Sequence, residues 1–79
     1  MMKPTEFEQA VNAFRHRQPF RPFVIELDGG ERIIVRDPQE LSCCYGGADY
    51  EGPTDDDFAF IECYEVRQVV ELAEAQPAS

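Results

Sequence analysis

The chain has 79 residues, of which 43% are hydrophobic, and its 16 acidic and 7 basic side chains give a net charge of -9. This length has room for one domain, 1–79, and the hydrophobic fraction is that of a folded globular protein. Negative charge of this size disfavours general binding to nucleic-acid backbones. No apolar run approaches the roughly 20 residues of a membrane span, and the N-terminus lacks an apolar signal core, so we expect a cytoplasmic protein.

The first element predicted in chain order is a helix over about 5–17. Thr5 and Glu8 have the spacing of a capping box, in which each side chain accepts a hydrogen bond from a backbone amide of the first turn. An apolar stripe follows at helical spacing and comprises Phe7, Ala10, Val11 and Phe14. Pro19 prevents continuation, because the residue before a proline disfavours helical angles. We expect the stripe to pack on the sheet or on another chain, since so short a helix is marginal alone in water.

Five strands are predicted over about 22–72. The first two form a hairpin, Phe23–Leu27 and 31–36, around an Asp-Gly-Gly turn whose glycines supply the positive φ angles that short hairpin loops need. Three further strands are predicted over 41–45, 58–62 and 66–72. The glycine, proline and acidic composition of 46–57 predicts a loop, and we expect the polar tail over 73–79 to fray.

The run RQPFRPFVIELDGGERIIVRDPQE within this pattern resembles a family of short bacterial proteins of unknown function that are abundant in planctomycetes. That family has a leading helix, an R-x-P-F-x-P-F-x-I-x-L-x-D-G-R motif, a Val-x-x-Pro-Glu segment and a closing strand rich in isoleucine or valine. The resemblance extends from Phe7 to about Leu72. It departs at Gly30-Glu31, where an arginine usually follows the Asp-Gly turn, and at Gln39. The family brings no established activity to transfer.

The layout of a helix followed by short, bent strands is also similar to that of Sm-like and SH3-like barrels. We therefore expect an α+β fold, mostly β, with an N-terminal helix and a five-stranded, strongly bent antiparallel sheet or small barrel. Sm-like proteins bind RNA and assemble into rings by pairing edge strands. Bacterial Sm-like proteins carry a Lys-His pair after the fourth strand, where this chain has Phe60-Ile61-Glu62-Cys63, so binding of RNA phosphate at that place is disfavoured.

The short strands leave edges that need a partner, and the sequence contains no convergent catalytic groups. We therefore expect a non-enzymatic protein–protein interaction or assembly module that works through a protein partner or as a homo-oligomer. The predicted interaction surface combines three arginines near the helix end with three tyrosines expected to reach solvent: Arg15, Arg17, Arg21, Tyr45, Tyr50 and Tyr64. The alternative is an Sm-like nucleic-acid-associated protein that uses the arginine cluster.

Residue types that carry catalysis or hold metals are sparse. The three cysteines lack the C-x2-C spacing of a zinc site, so we expect buried, reduced thiols; a redox or metal role would pair Cys63 with Cys43 or Cys44. His16 falls opposite the apolar stripe, which disfavours a catalytic dyad with a cysteine. The acidic segment 49–57 lacks the spacing of a calcium loop, and solvated surface is favoured over cation binding. We expect no catalytic residue, cofactor or metal.

Overall fold

The computed structural model of the protein describes residues 2–44, 46–54 and 56–74. One helix and six strands follow each other along the chain: α1 Pro4–Arg15, β1 Phe23–Leu27, β2 Arg32–Val35, β3 Leu41–Cys44, β4 Gly47–Glu51, β5 Phe58–Glu62 and β6 Val66–Glu71. Short 3-10 turns occupy Pro38–Glu40, Cys63–Glu65 and Leu72–Glu74. The predicted tail begins inside the last of these turns, and its residues from 75 onward lie outside the described chain.

The six strands form two antiparallel three-stranded sheets, in the orders β2-β1-β6 and β3-β4-β5. The expected class, α+β and mostly β with a leading helix, is confirmed. The expected number of five strands is wrong, and within the described residues neither sheet closes into a barrel. Four strand edges therefore remain at the borders of the sheets, whereas a closed barrel would have removed them.

The β1–β2 hairpin agrees with its prediction. Phe23 pairs with Val35 at the open end, and the Leu27 N–H donates to the Glu31 C=O at 2.8 Å at the turn. Gly30 has a φ of 92°, a conformation that suits glycine because it has no Cβ.

Strand β1 is the central strand of its sheet and is buried on both faces along its first half. The sequence pattern predicts Val24 on the face opposite Phe23 and Ile25, but all three side chains are at most 1% exposed. Val24 lies between Ile34 of β2 and Val70 of β6, which flank it on the same face of the sheet. Because Val24 has an apolar neighbour on each side, the alternation of side chains along β1 does not produce one solvent-exposed face and one buried face.

The predicted loop over 46–57 is wrong in its first half, because β4 begins at Gly47 and runs through the middle of the second sheet. Gly47 is buried, and a Cβ on it would lie 2.6 Å from the Ile61 carbonyl oxygen and 3.2 Å from the Phe60 ring. At this position glycine permits close packing within a strand. In the sequence alone, the same glycine is interpreted as a sign of a loop. Gly46, with a φ of 77°, belongs to the turn from β3.

Helix α1 begins at Pro4, and the capping box predicted at Thr5 and Glu8 is wrong. Lys3 is the residue that precedes the helix, and its N–H donates to a carboxylate oxygen of Glu6 at 3.1 Å. Proline is favoured in the first turn, because its fixed φ suits a helix and its missing N–H would have no partner there. The helix ends at Arg15, two residues before the predicted end.

The apolar stripe of α1 packs against β6 and β4, as expected. Phe7 and Val11 are buried, and the partly buried Phe14 ring stacks on Phe23 with 5.2 Å between ring centroids. Both sheets and the helix contribute to the core, whose buried hydrophobic members are Phe7, Val11, Phe23, Val24, Ile25, Val35, Leu41, Ala48, Ile61, Cys63 and Val66. Among the described residues, no helix is long and apolar enough to cross a membrane.

The close packing at Gly47 generates a stability prediction. We expect Gly47→Ala to lower the free energy of unfolding by about 1–3 kcal/mol, because the added methyl group meets a backbone oxygen that no rotamer change can move. Gly29→Ala is the matched control, since a Cβ at Gly29 has no neighbour within 4 Å and we expect a change below about 0.5 kcal/mol. Chemical denaturation measures both; equal midpoints for the two variants would contradict the packing described for β4.

Candidate functional site

The exposed large hydrophobic side chains of the described residues lie together on β5 and the turn that follows it. Phe58 is 75% exposed, Phe60 57% and Tyr64 54%, and we call these three residues the aromatic edge. Phe58 and Phe60 are two positions apart on a strand, so they lie on the same face, while Ile61 points into the core.

Strand β5 is the outer strand of its sheet and, in the part of the chain that is described, pairs with β4 alone. The Cys63 N–H donates to the Gly46 C=O at 2.9 Å, which places Cys63 in a hydrogen-bonded pair. Hydrogen-bonded and non-hydrogen-bonded pairs alternate along an antiparallel ladder. It follows that Phe58, Phe60 and Glu62 direct their backbone N–H and C=O groups away from β4, toward the open side of the sheet.

Residues of β5 and of β2, the outer strand of the other sheet, line the same grooves, and we call the space between these two strands the seam. Two grooves lie along the seam, with volumes of about 490 Å³ and 370 Å³. Phe60 and Tyr64 border the larger groove and Phe58 borders the smaller one, while Ile33 of β2 and Ala59 of β5 line both. The aromatic edge therefore adjoins a partly apolar cleft where the two sheets do not join.

The charges along the seam are unevenly distributed. The larger groove is lined by three exposed acidic residues, Asp28, Glu31 and Glu65, and no basic residue is among its described lining. The smaller groove has a mixed lining with two residues of each sign: Arg32, Arg36, Asp56 and Asp57. One end of the seam is thus acidic and the other is close to neutral.

Tyr50 lies beside the smaller groove, partly buried against the core. Burial raises the pKa of its hydroxyl above the ordinary value of 10.0, and the negative charges of Glu40 and Asp57 raise it further, against an opposing effect of Arg36. The neutral hydroxyl is therefore the form that suits the folded chain.

Two of the three arginines expected on the interaction surface are engaged within the chain. Arg17 Nη1 lies 3.5 Å from one carboxylate oxygen of Glu71, and Arg21 Nη1 lies 3.2 Å from the other. Arg15 is partly buried, and its Nε has no hydrogen-bond partner among the described residues. Glu71 pairs with Phe23 at the start of β1, so this cluster lies at the opposite end of the first sheet from the acidic groove.

The three tyrosines expected on the interaction surface differ in their exposure to solvent. Tyr64 belongs to the aromatic edge, Tyr50 is partly buried, and Tyr45 lies outside the described residues. Sequence reasoning did not single out Phe58 and Phe60 as surface residues, since phenylalanines in a small domain are expected in the core. Their spacing around Ala59 shows that Phe58 and Phe60 share one face of the strand and that Ala59 and Ile61 share the other, but it does not indicate which face is buried.

Groups that could carry chemistry are not assembled within the described residues. Cys63 is buried and Cys43 is partly buried against the core, both as free thiols, while the side chain of Cys44 lies outside what the structure describes, so the expected packing role of the three cysteines stays a prediction. His16 is exposed just beyond α1. No three His, Cys, Asp or Glu side chains of the described chain lie close enough to hold a metal ion together. The expected lack of catalytic, cofactor and metal roles stays a prediction.

Comparison with known proteins adds no relative to these observations: no protein-family model, curated protein or solved structure matches the chain. The resemblance to short planctomycete-type proteins and the similarity to Sm-like layouts therefore stay predictions from the sequence.

The raised pKa of Tyr50 predicts a loss of stability in alkali. A hydroxyl whose folded-state pKa exceeds its unfolded value of 10.0 contributes stability that is present below that pH and is lost as pH rises. We expect Tyr50→Phe to have a smaller drop in melting temperature above pH 10 than the unchanged protein. Tyr64→Phe, at an exposed position, is the control and should retain the drop. Identical alkaline profiles for the Tyr50 variant and the unchanged protein would exclude this linkage.

Proposed function

We propose that the protein is a non-enzymatic protein–protein interaction module that binds its partner through the aromatic edge and the adjoining seam. The observation that carries the proposal is the exposure of Phe58 and Phe60 on an outer strand whose open side has no strand beside it in the described chain. The exposed phenylalanines and the open strand edge together favour a surface that a binding partner covers.

The energetics of such a surface support binding. Burying a phenylalanine side chain contributes about 1.5–3 kcal/mol relative to leaving it in water. Aromatic residues clustered beside a cleft are typical of the few side chains that dominate affinity at interfaces. An exposed apolar edge strand promotes aggregation, and proteins usually prevent this with charged residues or proline on that strand. Here the outward positions of β5 retain two phenylalanines, which a partner would protect from water.

The alternative function, nucleic-acid association through Arg15, Arg17 and Arg21, has less support. Glu71 already lies within salt-bridge distance of two of these arginines, and the larger groove of the seam is acidic. Phosphate contacts require positive charge that is available to the ligand. We therefore place the interaction surface at the aromatic edge and not at the arginine cluster.

A peptide selection tests the proposal. We expect a phage-displayed library of random dodecapeptides, selected on the unchanged protein, to yield peptides that lose binding to the Phe58→Ser/Phe60→Ser variant. Both side chains are more than half exposed, so the variant should fold, and circular dichroism with a melting curve verifies this. Loss of two aromatic contacts predicts a drop in affinity of about a hundredfold or more.

The matched control is Gln9→Ser/Ala13→Ser, which changes two exposed positions of α1 and should leave binding unchanged. Phe58→Ser alone is the second variant, in case the double substitution perturbs the sheet through the Phe60 ring that covers Gly47. If the selected peptides bind a folded Phe58→Ser variant as tightly as they bind the unchanged protein, the proposed surface is wrong.

A further inference from the structure

We infer that the ligand of this surface is an extended segment of another protein that joins β5 as an additional antiparallel strand and carries Lys or Arg at its N-terminal end. The inference rests on the proposed function and specifies its ligand. It depends on three features of the seam: the direction of the backbone groups of β5, the apolar side chains on both sides, and the acidic end.

The backbone of β5 selects an extended ligand. Phe58, Phe60 and Glu62 turn their N–H and C=O groups away from β4, as the ladder pattern fixed by the Cys63–Gly46 hydrogen bond requires. A peptide in strand conformation presents complementary groups at the same repeat, whereas a helix has used its own backbone groups internally. Main-chain hydrogen bonds along β5 would then give affinity that depends little on the ligand's sequence.

Side chains on both sides of the added strand would meet apolar groups. Successive residues of a strand point to opposite faces, and directly paired residues lie about 4.5–5.5 Å apart at Cβ. One set of ligand side chains would therefore lie beside the rings of Phe58 and Phe60. The other set would point into the seam, toward Ile33 and Ala59. A ligand with apolar or β-branched residues at most central positions fits both faces.

Antiparallel pairing is slightly more stable per residue than parallel pairing, and for an antiparallel ligand the charge of the seam determines which end should be basic. Strand β5 runs from Phe58, beside the mixed groove, toward Tyr64, beside the acidic groove. An antiparallel strand runs the other way, so its N-terminal end lies at the acidic groove with Glu31 and Glu65. Lysine or arginine at that end of the ligand would have favourable electrostatic interactions with these carboxylates, and opposite charges across an interface raise the association rate.

The same charges disfavour a second copy of this chain as the occupant. Antiparallel pairing of two β5 strands about Phe60 would bring Asp56 and Asp57 of one copy close to Glu62 and Glu65 of the other. Each chain also has a net charge of -9. Like charges that face each other across paired strands are destabilising. A basic segment of a different protein avoids this repulsion, and we commit to that class of ligand.

The peptides obtained from the library selection provide the first test. We expect binders that depend on Phe58 and Phe60 to be rich in Lys or Arg near the N-terminus, followed by alternating β-branched or aromatic residues. In isotope-labelled protein, the backbone amides of Phe58, Phe60 and Glu62 should have the largest chemical-shift changes when such a peptide is added. Binders with an acidic N-terminus, or shift changes centred on Arg21 and Glu71 instead, would overturn the inference.

Backbone methylation of the same peptide tests strand addition separately from side-chain binding. N-methylation at alternate positions, on the amides that face β5, should weaken binding about tenfold or more, because each methyl group removes a hydrogen bond and prevents close approach. Methylation of the intervening amides, which point away from β5, is the matched control and should change affinity less than threefold. Equal effects of the two methylation patterns would exclude an added strand.

Charge reversal at the acidic groove tests the orientation. We expect Glu65→Lys to weaken binding of the basic peptide about tenfold at low salt and much less in high salt, because screening removes long-range attraction. Glu8→Lys, an equal charge change at an exposed position of α1, is the control and should have a small effect. Equal losses in the two variants would mean that only net charge matters, and the orientation would be wrong.

The outcomes separate the inference from the proposed function. Peptides that need Phe58 and Phe60 but tolerate every methylation pattern would leave an interaction module that binds something other than a strand. A concentration-dependent dimer in light scattering that Phe58→Ser abolishes would make a second copy the occupant and overturn the inference alone. Binders that do not depend on the two phenylalanines would remove the proposed function itself.

Discussion

The stacking of Phe14 on Phe23 ties the helix to the central strand of the first sheet, beside the packing of α1 on β6, and the core is built around this contact. The Phe23 side chain is completely buried in the central strand β1. The Phe14 ring of α1 stacks on it, and the Phe20 ring, from the segment before β1, meets it edge-on with 6.1 Å between centroids. In a chain of 79 residues the core is small, so an aromatic cluster that links α1, the segment before β1 and β1 itself is an important part of it.

The small size of the core also explains why part of the surface remains apolar. The core takes buried side chains from all six strands and from one side of α1, with the helix packed on β6 and β4. Nothing comparable covers the space between β2 and β5 in the described chain, where Ile33 and Ala59 line two grooves. Within the described residues, the hydrogen-bonding groups and apolar side chains at these strand borders are left uncovered, and this is the surface that the proposed function uses.

The sequence predicted the hairpin and the closing strands well, because local features determine them. Alternating apolar residues around the Asp-Gly-Gly turn specify β1 and β2, and strand β5 was predicted with the bounds that the structure has. Strand β4 was missed because Gly47 is required by its contact with Ile61, a residue of the neighbouring strand. A requirement imposed by another strand leaves no periodic pattern in the segment that satisfies it.

The candidate site was only partly predictable for a related reason. Tyr64 was expected at the surface and is there, whereas the face of β5 that points outward depends on its pairing, in which Ile61 lies opposite Ala48 in the core. The sequence order F-A-F-I is compatible with either face inward, and bulk alone favours the phenylalanines. The contacts of Arg17 and Arg21 with Glu71 likewise join residues about 50 positions apart, which no local pattern indicates.

Inward and outward side chains alternate along β5, and the two sets differ in how freely they can be substituted. Ile61 and its carbonyl group hold the strand against Gly47, so inward changes at this place would disturb the fold. Phe58 and Phe60 are more than half exposed, so replacements there disturb the core less than inward replacements do, although the Phe60 ring lies close to Gly47. If the proposed function holds, divergent copies of this chain could acquire different ligand preferences by exchanging outward residues alone, while the inward residues of the strand stay constant.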